Sequence, residues 1–325
     1  MYDLIIIGLG PAGLTSSIYA SRFRIKHLLI GSSLGGAMAL AFSVENYPGF
    51  EKISGLELAK KMESQAKNLG AEILVDEVVK IKGGPSFTVE TASGRKFQAK
   101  NLIVATGTKR RQLGIPGETE YLGRGVSYCS TCDAPFFKDK VVAVIGGSNA
   151  AAMGAVHLSS FAKKVYLLYR GKPLRAEPAW VEKVEKTPRI TVIYETNIKK
   201  ILGYKDIKIL SEEEKAPSID RVAAVELDKP YKGKRLLPVD GVFVEIGGVP
   251  GAELVKPLGV ELNEKGFIKV GADMATNIAG IFAAGDVANA SGELQQIVTA
   301  VSEGAIAAAS VYQNLGLDKD IKCTL

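Results

Sequence analysis

Cysteine, histidine and tryptophan are scarce in this chain of 325 residues, which has three Cys, two His and one Trp. Three cysteines are too few for the disulfide framework of a small secreted scaffold. A structural zinc site takes four ligands. Beyond Cys129 and Cys132 the chain offers only Cys323, His27 and His157, so zinc is the weaker use of its one Cys-x-x-Cys and no metal ligand is assigned. Long apolar runs are missing too. None approaches the ~20 residues that span a bilayer as a helix, so no membrane partner is expected. The first strand begins at Met1 and leaves no room for a signal peptide, which points to a cytoplasmic protein. The formal charge is +6, but no lysine or arginine cluster is interleaved with aromatics. Lys109-Arg110-Arg111 and Lys232-Gly-Lys-Arg235 read as solvated surface, and no nucleic-acid partner is expected.

The chain is rich in glycine and apolar residues, and its length suits two domains. Leu4-Ile-Ile-Ile7 is a short, wholly apolar run, as a buried parallel strand would be. It passes into Gly8-Leu-Gly-Pro-Ala-Gly13 and a small-residue helix from Leu14 to Ser21. That order is the dinucleotide fingerprint: Gly8 for the tight turn, Gly10 for backbone approach to a pyrophosphate, and Gly13 for close helix–strand packing. The acid that often binds the adenosine ribose is absent after the second strand, where Gly31-Ser-Ser stands. A second cradle follows: the strand Val141–Ile145, the turn Gly146-Gly147-Ser148-Asn149-Ala150, and a helix from Ala151 to Ser160. Ser148 replaces the second fingerprint glycine, and an ordinary βα turn without ligand is the competing reading. Ala105-Thr106-Gly107 and Gly285-Asp286 each end an apolar strand, and Asp286 is suited to bond sugar-alcohol hydroxyls.

Between the two cradles lies Tyr128-Cys-Ser-Thr-Cys-Asp133. A close thiol pair serves reversible disulfide chemistry or half of a metal site. Beside a flavin or nicotinamide it would be an electron relay. Both cysteines fall at an expected helix start, where free N–H groups favour thiolate. Asp133 is either a general acid–base for the thiols or a first-turn acid of that helix. Cys323, in the tail, reads as an incidental thiol.

The chain resembles the low-molecular-weight thioredoxin reductases almost end to end. The resemblance is carried by Gly8–Gly13, Gly35-Gly36, Glu45-Asn-Tyr-Pro-Gly-Phe50, Ala105-Thr-Gly107, Ile115-Pro-Gly-Glu118, Gly125–Asp133, Ala283-Ala-Gly-Asp286 and Gln296–Gly304. It implies an α/β fold of two Rossmann-like, three-layer ββα nucleotide-binding domains, the second inserted into the first. The expected borders are 1–113 and 244–325 for an FAD domain and 118–240 for an NAD(P)H domain carrying the dithiol. The FAD contacts it implies are Gly8, Gly10, Pro11, Ala12, Gly13, Gly35, Gly36, Asn46, Val78, Ala105, Thr106, Gly107, Gly285, Asp286, Gln295, Gln296 and Ile297. Those for NADPH are Gly147, Ser148, Asn149, Ala150, Arg170 and Arg175. Cys132 would face the flavin, Cys129 would attack the substrate disulfide, and Asp133 would serve both thiols. The implied partner is thioredoxin or a glutaredoxin-like protein disulfide, and the implied assembly is a homodimer. Glycines near Gly114–Gly117 and Gly241–Gly248 are expected to act as hinges.

Departures from the family pattern concern the electron donor and the contacts to the flavin. Tyr169-Arg-Gly171 stands where the family has His-Arg-Arg, so two of three clamp arginines remain, Arg170 and Arg175. No acid stands there for an NADH ribose, so NADPH is expected over NADH. Gln295-Gln296 stands where an Arg-Gln pair is usual. The alternatives are a dithiol oxidase of the same fold, or a reductase fed by ferredoxin or a deazaflavin.

Overall fold

In the computed structural model, which describes residues 1–207, 220–292 and 294–317, the apolar runs become parallel strands and the small-residue stretches become helices. Cys323 and most of the charged 205–218 stretch lie outside the described residues. The chain divides into two units, Met1–Lys109 with Val249–Leu325, and Arg110–Gly248.

The first unit opens with β1 (Tyr2–Ile7), α1 (Pro11–Arg22), β2 (His27–Gly31), α2 (Gly55–Asn68) and β3 (Glu72–Val75). It continues through β4 (Val78–Lys82), β5 (Phe87–Thr91) and β6 (Lys96–Val104) to the crossing strand β7 (Thr108–Arg110). In the second unit come β8 (Val126–Ser127), α3 (Ser130–Asp133), β9 (Val141–Ile145), α4 (Asn149–Ser159), β10 (Lys164–Leu168), α5 (Pro178–Glu185) and β11 (Ile190–Ile193). Then follow β12 (Ile198–Gly203), β13 (Val222–Tyr231), β14 (Lys234–Pro238) and β15 (Gly241–Val244). The return crossing is β16 (Gly248–Pro250), and β17 (Ile281–Ala283) and α6 (Ile297–Asn314) complete the first unit.

In the first unit β3-β2-β1-β6 is parallel, with β17 added parallel to β6 and β5 and β4 joined antiparallel. Leu4, Ile6, Leu29 and Ile103 point to one face of this sheet, where α1 and α6 cover them, and Ile5, Ile7, Leu28 and Val104 fill the opposite core. Small residues let α1 and α6 touch. A Cβ on Gly304 would lie 2.3 Å from the Ala12 carbonyl oxygen, and the Ser16 hydroxyl donates to the carbonyls of both Ala12 and Gly304. In the second unit the parallel sheet β11-β10-β9-β15-β8 stands beside the antiparallel β12-β13-β14, as the ββα expectation required.

The expected borders shift, because residues 110–113 and 244–248 belong to the second unit. β15 lies in its parallel sheet between β9 and β8, the Arg111 N–H bonds the Gly247 carbonyl at 3.1 Å, and the Arg110 side chain pairs with Glu245. Gly114–Gly117 and Gly241 are therefore interior to that unit, and two of these glycines serve packing. A Cβ on Gly117 would come within 2.1 Å of the Ile201 carbonyl oxygen, and one on Gly241 within 2.2 Å of the Phe137 ring. The open, positive-φ glycines beside the crossings are Gly107 and Gly247, with φ +61° and +86°. Only those conformations, which glycine adopts without a Cβ penalty, suit a chain that must turn there.

Candidate active site

The first cradle is built where three parallel strands end together. Ile7 and Ala283 both pair with Val104, so Gly8, Ala105 and Ala284 leave the sheet on one edge. Open α/β sheets bind ligands at such carboxyl edges. Gly8 has φ +121° and its missing Cβ would stand 2.1 Å from the Ala105 oxygen, while a Cβ on Gly13 would meet the Gly8 oxygen at 1.8 Å. Over Gly10, by contrast, a Cβ would find nothing within 4 Å. Gly10 is the N-cap of α1, Pro11 takes the first turn, and neither a side-chain cap nor an acid is present there. Uncapped N–H groups around an open space fit a pyrophosphate.

Other predicted residues gather at the same edge. A Cβ on Gly36 would approach the Gly10 Cα at 3.5 Å, and Gly35 precedes it in a left-handed turn. The Asn46 side-chain amide donates to Gln296 Oε1 at 3.1 Å, which joins the 45–50 segment to the start of α6 at Ile297. Thr106 bonds the Gly251 carbonyl at 2.8 Å, and Gln295 reaches the Asp286 carbonyl at 3.5 Å. Gly285 N–H donates to Glu303 Oε2 at 2.7 Å. The other oxygen of this buried Glu303 has no hydrogen-bond partner among the described residues. Burial and then the Glu303 charge push the Asp286 carboxyl up to about 6. Val78 is the exception, since its side chain is packed in the core with Ile5 and Ile7. The open space over Gly10, the uncapped α1 terminus and the orphaned carboxylate oxygen all fit a phosphate- and hydroxyl-rich dinucleotide such as FAD.

A second edge of the same kind forms in the other unit, where Leu168 and Val244 both pair with Ile145. Ser148 is the N-cap of α4, makes no side-chain cap bond, and Asn149 and Ala150 follow it. Asn149 and Glu177 bond reciprocally, side chain to side chain at 3.0 Å and Glu177 N–H to Asn149 Oδ1 at 2.6 Å. Arg170 and Arg175 are exposed and make no ion pair among the described residues, and the Arg175 N–H holds the Gly147 carbonyl at 2.7 Å. Two free arginines near an uncapped helix start fit a nucleotide phosphate. Tyr169 accounts for the glycine at 171. Its ring lies 2.4 Å from where a Cβ on Gly147 would be, and its hydroxyl 3.0 Å from one on Gly171. The ring occupies the room that side chains at both positions would need.

The dithiol follows β8. Cys129 and Cys132 are joined as a disulfide with Cα atoms 5.3 Å apart. Cys129 is the N-cap of α3, and its sulfur accepts the Cys132 N–H at 3.1 Å. Cys132 is exposed, and Cys129 and Asp133 are half-buried. Ser127 fixes Cys129 from the strand side by accepting its N–H at 2.9 Å. Two buried glutamates grip the residues on either side. Glu118 accepts the Tyr128 hydroxyl at 2.6 Å and the N–H groups of Leu113 and Gly114 at 2.8 and 2.7 Å. Burial, and then the carboxylate of Glu118, raise the Tyr128 hydroxyl well above its ordinary range. Glu245 accepts the Ser130 hydroxyl at 3.1 Å and the Arg110 guanidinium at 2.7 Å. Burial pushes the Glu245 carboxyl up, against the opposing pull of Arg110 and Ser130. Sequence reasoning assigned no role to Glu118, Glu245 or Glu303. The available signal was a lone acid at the end of an otherwise apolar strand, Gly241–Ile246.

The model of the pyridine nucleotide-disulphide oxidoreductase family matches residues 2–304. A thioredoxin reductase of Listeria innocua is 38% identical over 308 residues, covering 94% of this chain and 92% of the relative. Among solved structures, Lactococcus lactis thioredoxin reductase superposes with a TM-score of 0.88 at 36% identity, covering 98% of this chain and 100% of that one. T. acidophilum thioredoxin reductase gives 0.86, also at 36% identity, over 97% of this chain. With a disulfide-bonded Cys-x-x-Cys and two nucleotide cradles of the kind just described, the chain belongs to the pyridine nucleotide-disulphide oxidoreductase family.

Proposed function

We propose that this chain is an NADPH-dependent, FAD-containing reductase of thioredoxin or a similar small dithiol protein. The observation that carries the reading is the Cys129–Cys132 disulfide at the start of α3, with the Cys129 sulfur already seated as the acceptor of an α3 amide. In the first unit Gly10, Ala12, Gly36 and Asp286 would hold FAD, and in the second Ser148, Arg170 and Arg175 would hold NADPH. Bound FAD supplies two-electron transfer between a nicotinamide and a disulfide.

The protein's own residues account for the exchange that follows. Once the pair is reduced, the Cys132 N–H stabilises a thiolate on Cys129 by a charge-assisted bond. That thiolate attacks one sulfur of the acceptor disulfide, forms a mixed disulfide and releases the other acceptor sulfur as thiolate. Cys132 then attacks Cys129, the mixed disulfide breaks, and the acceptor leaves as a dithiol with the Cys129–Cys132 disulfide restored. Asp133, one residue beyond Cys132, is placed to pass the protons the two leaving thiolates require. The exposed Phe136, 80% accessible, offers an acceptor protein an apolar contact near the dithiol.

One observation favours a second reading of the donor. Tyr169 fills the room around Gly147 and Gly171, which suits a chain fed by reduced ferredoxin or a deazaflavin. Mixing the FAD-loaded protein anaerobically with NADPH, NADH or reduced ferredoxin, while flavin absorbance is followed, separates them. Bleaching by NADPH in preference to NADH is the expected result. Bleaching by neither nucleotide would overturn the donor assignment.

A further inference from the structure

Within the second unit, α3 begins with amides that have no partner inside the helix, as every helix start does. Such amides draw negative charge onto a nearby sulfur and stabilise thiolate, which makes a dithiol less reducing. One of them, on Cys132, does point at the Cys129 sulfur. The Ser130 hydroxyl, on a residue between the two cysteines, goes to Glu245 at 3.1 Å, a carboxylate 5% exposed at the end of β15. Arg110 holds the other oxygen at 2.7 Å. Gly154 makes the arrangement possible, because a Cβ there would stand 2.7 Å from the Ser130 hydroxyl oxygen. A buried acid is costly unless donors surround it, and this one has a donor on each oxygen.

We propose that Glu245 is a positioning residue that sets the reducing power of the Cys129–Cys132 pair. Its carboxylate, bonded to the hydroxyl of a residue between the sulfurs, sets a negative charge against the thiolate that the Cys132 amide favours, while Arg110 keeps that charge in place. The pair thereby stays reducing although it sits at a helix start. This inference rests on the proposed redox role of the two cysteines. Glu118 is the internal contrast. It is equally buried and also grips a neighbour of Cys129, but its amide donors are Leu113 and Gly114, and none comes from α3.

The test is the dithiol–disulfide equilibrium of the full-length, FAD-loaded protein in anaerobic glutathione buffers. Samples are quenched, alkylated and read by mass spectrometry on the peptide holding both cysteines. Glu245→Gln should move the equilibrium at least tenfold toward the dithiol, equivalent to about 30 mV for a two-electron couple. The alkylation pH profile of the reduced pair should move to lower pH with it. Glu245→Ala, which puts no amide against Arg110, should do the same and serves if the Gln variant fails to fold. Glu118→Gln should lower the melting temperature and leave the equilibrium within about twofold, far short of the tenfold step that would register as about 30 mV. Unchanged equilibria in both Glu245 variants, a shift toward the disulfide, or an equal shift in Glu118→Gln would overturn the proposal. A wild-type pair with no two-electron equilibrium at all would overturn the redox reading, and this inference with it.

Discussion

A single side chain bears on one point at which this chain departs from its family. Tyr169 and Gly171 act together, because the tyrosine hydroxyl lies 3.0 Å from where a Cβ on residue 171 would be. Restoring an arginine by Gly171→Arg alone therefore has to displace the ring. The double variant Tyr169→His with Gly171→Arg should lower the KM for NADPH by roughly ten- to hundredfold, the range of a charged hydrogen bond of about 1.5–3 kcal/mol. Steady-state kinetics with both nucleotides check this, since NADH should be almost unaffected. Asp286 gives a pH signature. Its folded-state value, about 6, is above the usual carboxylate value of about 3.9. Its stabilising contribution to the flavin-free protein is thus fully present below about pH 4 and lost as pH rises through about 6. The stability gap between wild type and Asp286→Asn should change by up to about 3 kcal/mol across that window, with the Asn variant gaining on the alkaline side. Chemical denaturation at a series of pH values measures it, and a gap independent of pH would contradict the assignment. At this scale the glycines and the cysteine pair were legible in the sequence, because they form local strings. Glu118, Glu245 and Glu303 were not, because their donors come from segments distant in the chain, such as Ser130 and Arg110 for Glu245.

Elements were readable wherever the local pattern and the fold agree. β1, β9, β17 and the end of β6 are apolar runs, and each was expected as a strand. The strands β12, β13 and β14 are interrupted by charges and were foreseen only as further β structure, since their burial depends on pairing that no local period reveals. α3, four residues long, is visible only because its cysteine N-cap marks it. The contact between α1 and α6 was also hidden, since it brings together residues nearly 300 positions apart, Ser16 and Gly304. There a Cβ on Gly304 would fall 2.3 Å from the Ala12 oxygen. Gly304→Ala must push α6 away from α1, and overpacking of this kind costs about 1–3 kcal/mol. Because Ala12 follows the uncapped start of α1, FAD affinity should fall along with the melting temperature. Fluorescence titration with FAD and thermal unfolding test the coupling; wild-type values for both would show that the helices have room.

For the whole molecule, the insertion of one nucleotide-binding unit into another was foreseen, and of its two seams the second was closer. Glycines suggested hinges at 114–117 and 241–248; the chain crosses between Lys109 and Arg110, ahead of the first stretch, and again between Gly248 and Val249, at the end of the second. Glycine has two uses, freedom and close approach, and sequence does not separate them. Gly117 and Gly241 stand against Ile201 and Phe137, while Gly107 and Gly247 stand in open space with positive φ. The central claim is that electrons delivered to the first unit leave the protein through Cys129. The most direct measurement is anaerobic rapid mixing of NADPH-reduced, FAD-loaded protein with oxidised thioredoxin while flavin absorbance is recorded. The wild type should recover its oxidised flavin spectrum as thioredoxin thiols form. Cys129→Ser should be reduced by NADPH but hold the bleached spectrum, with no thioredoxin thiols formed. Recovery of the Cys129→Ser variant at the wild-type rate would contradict the account.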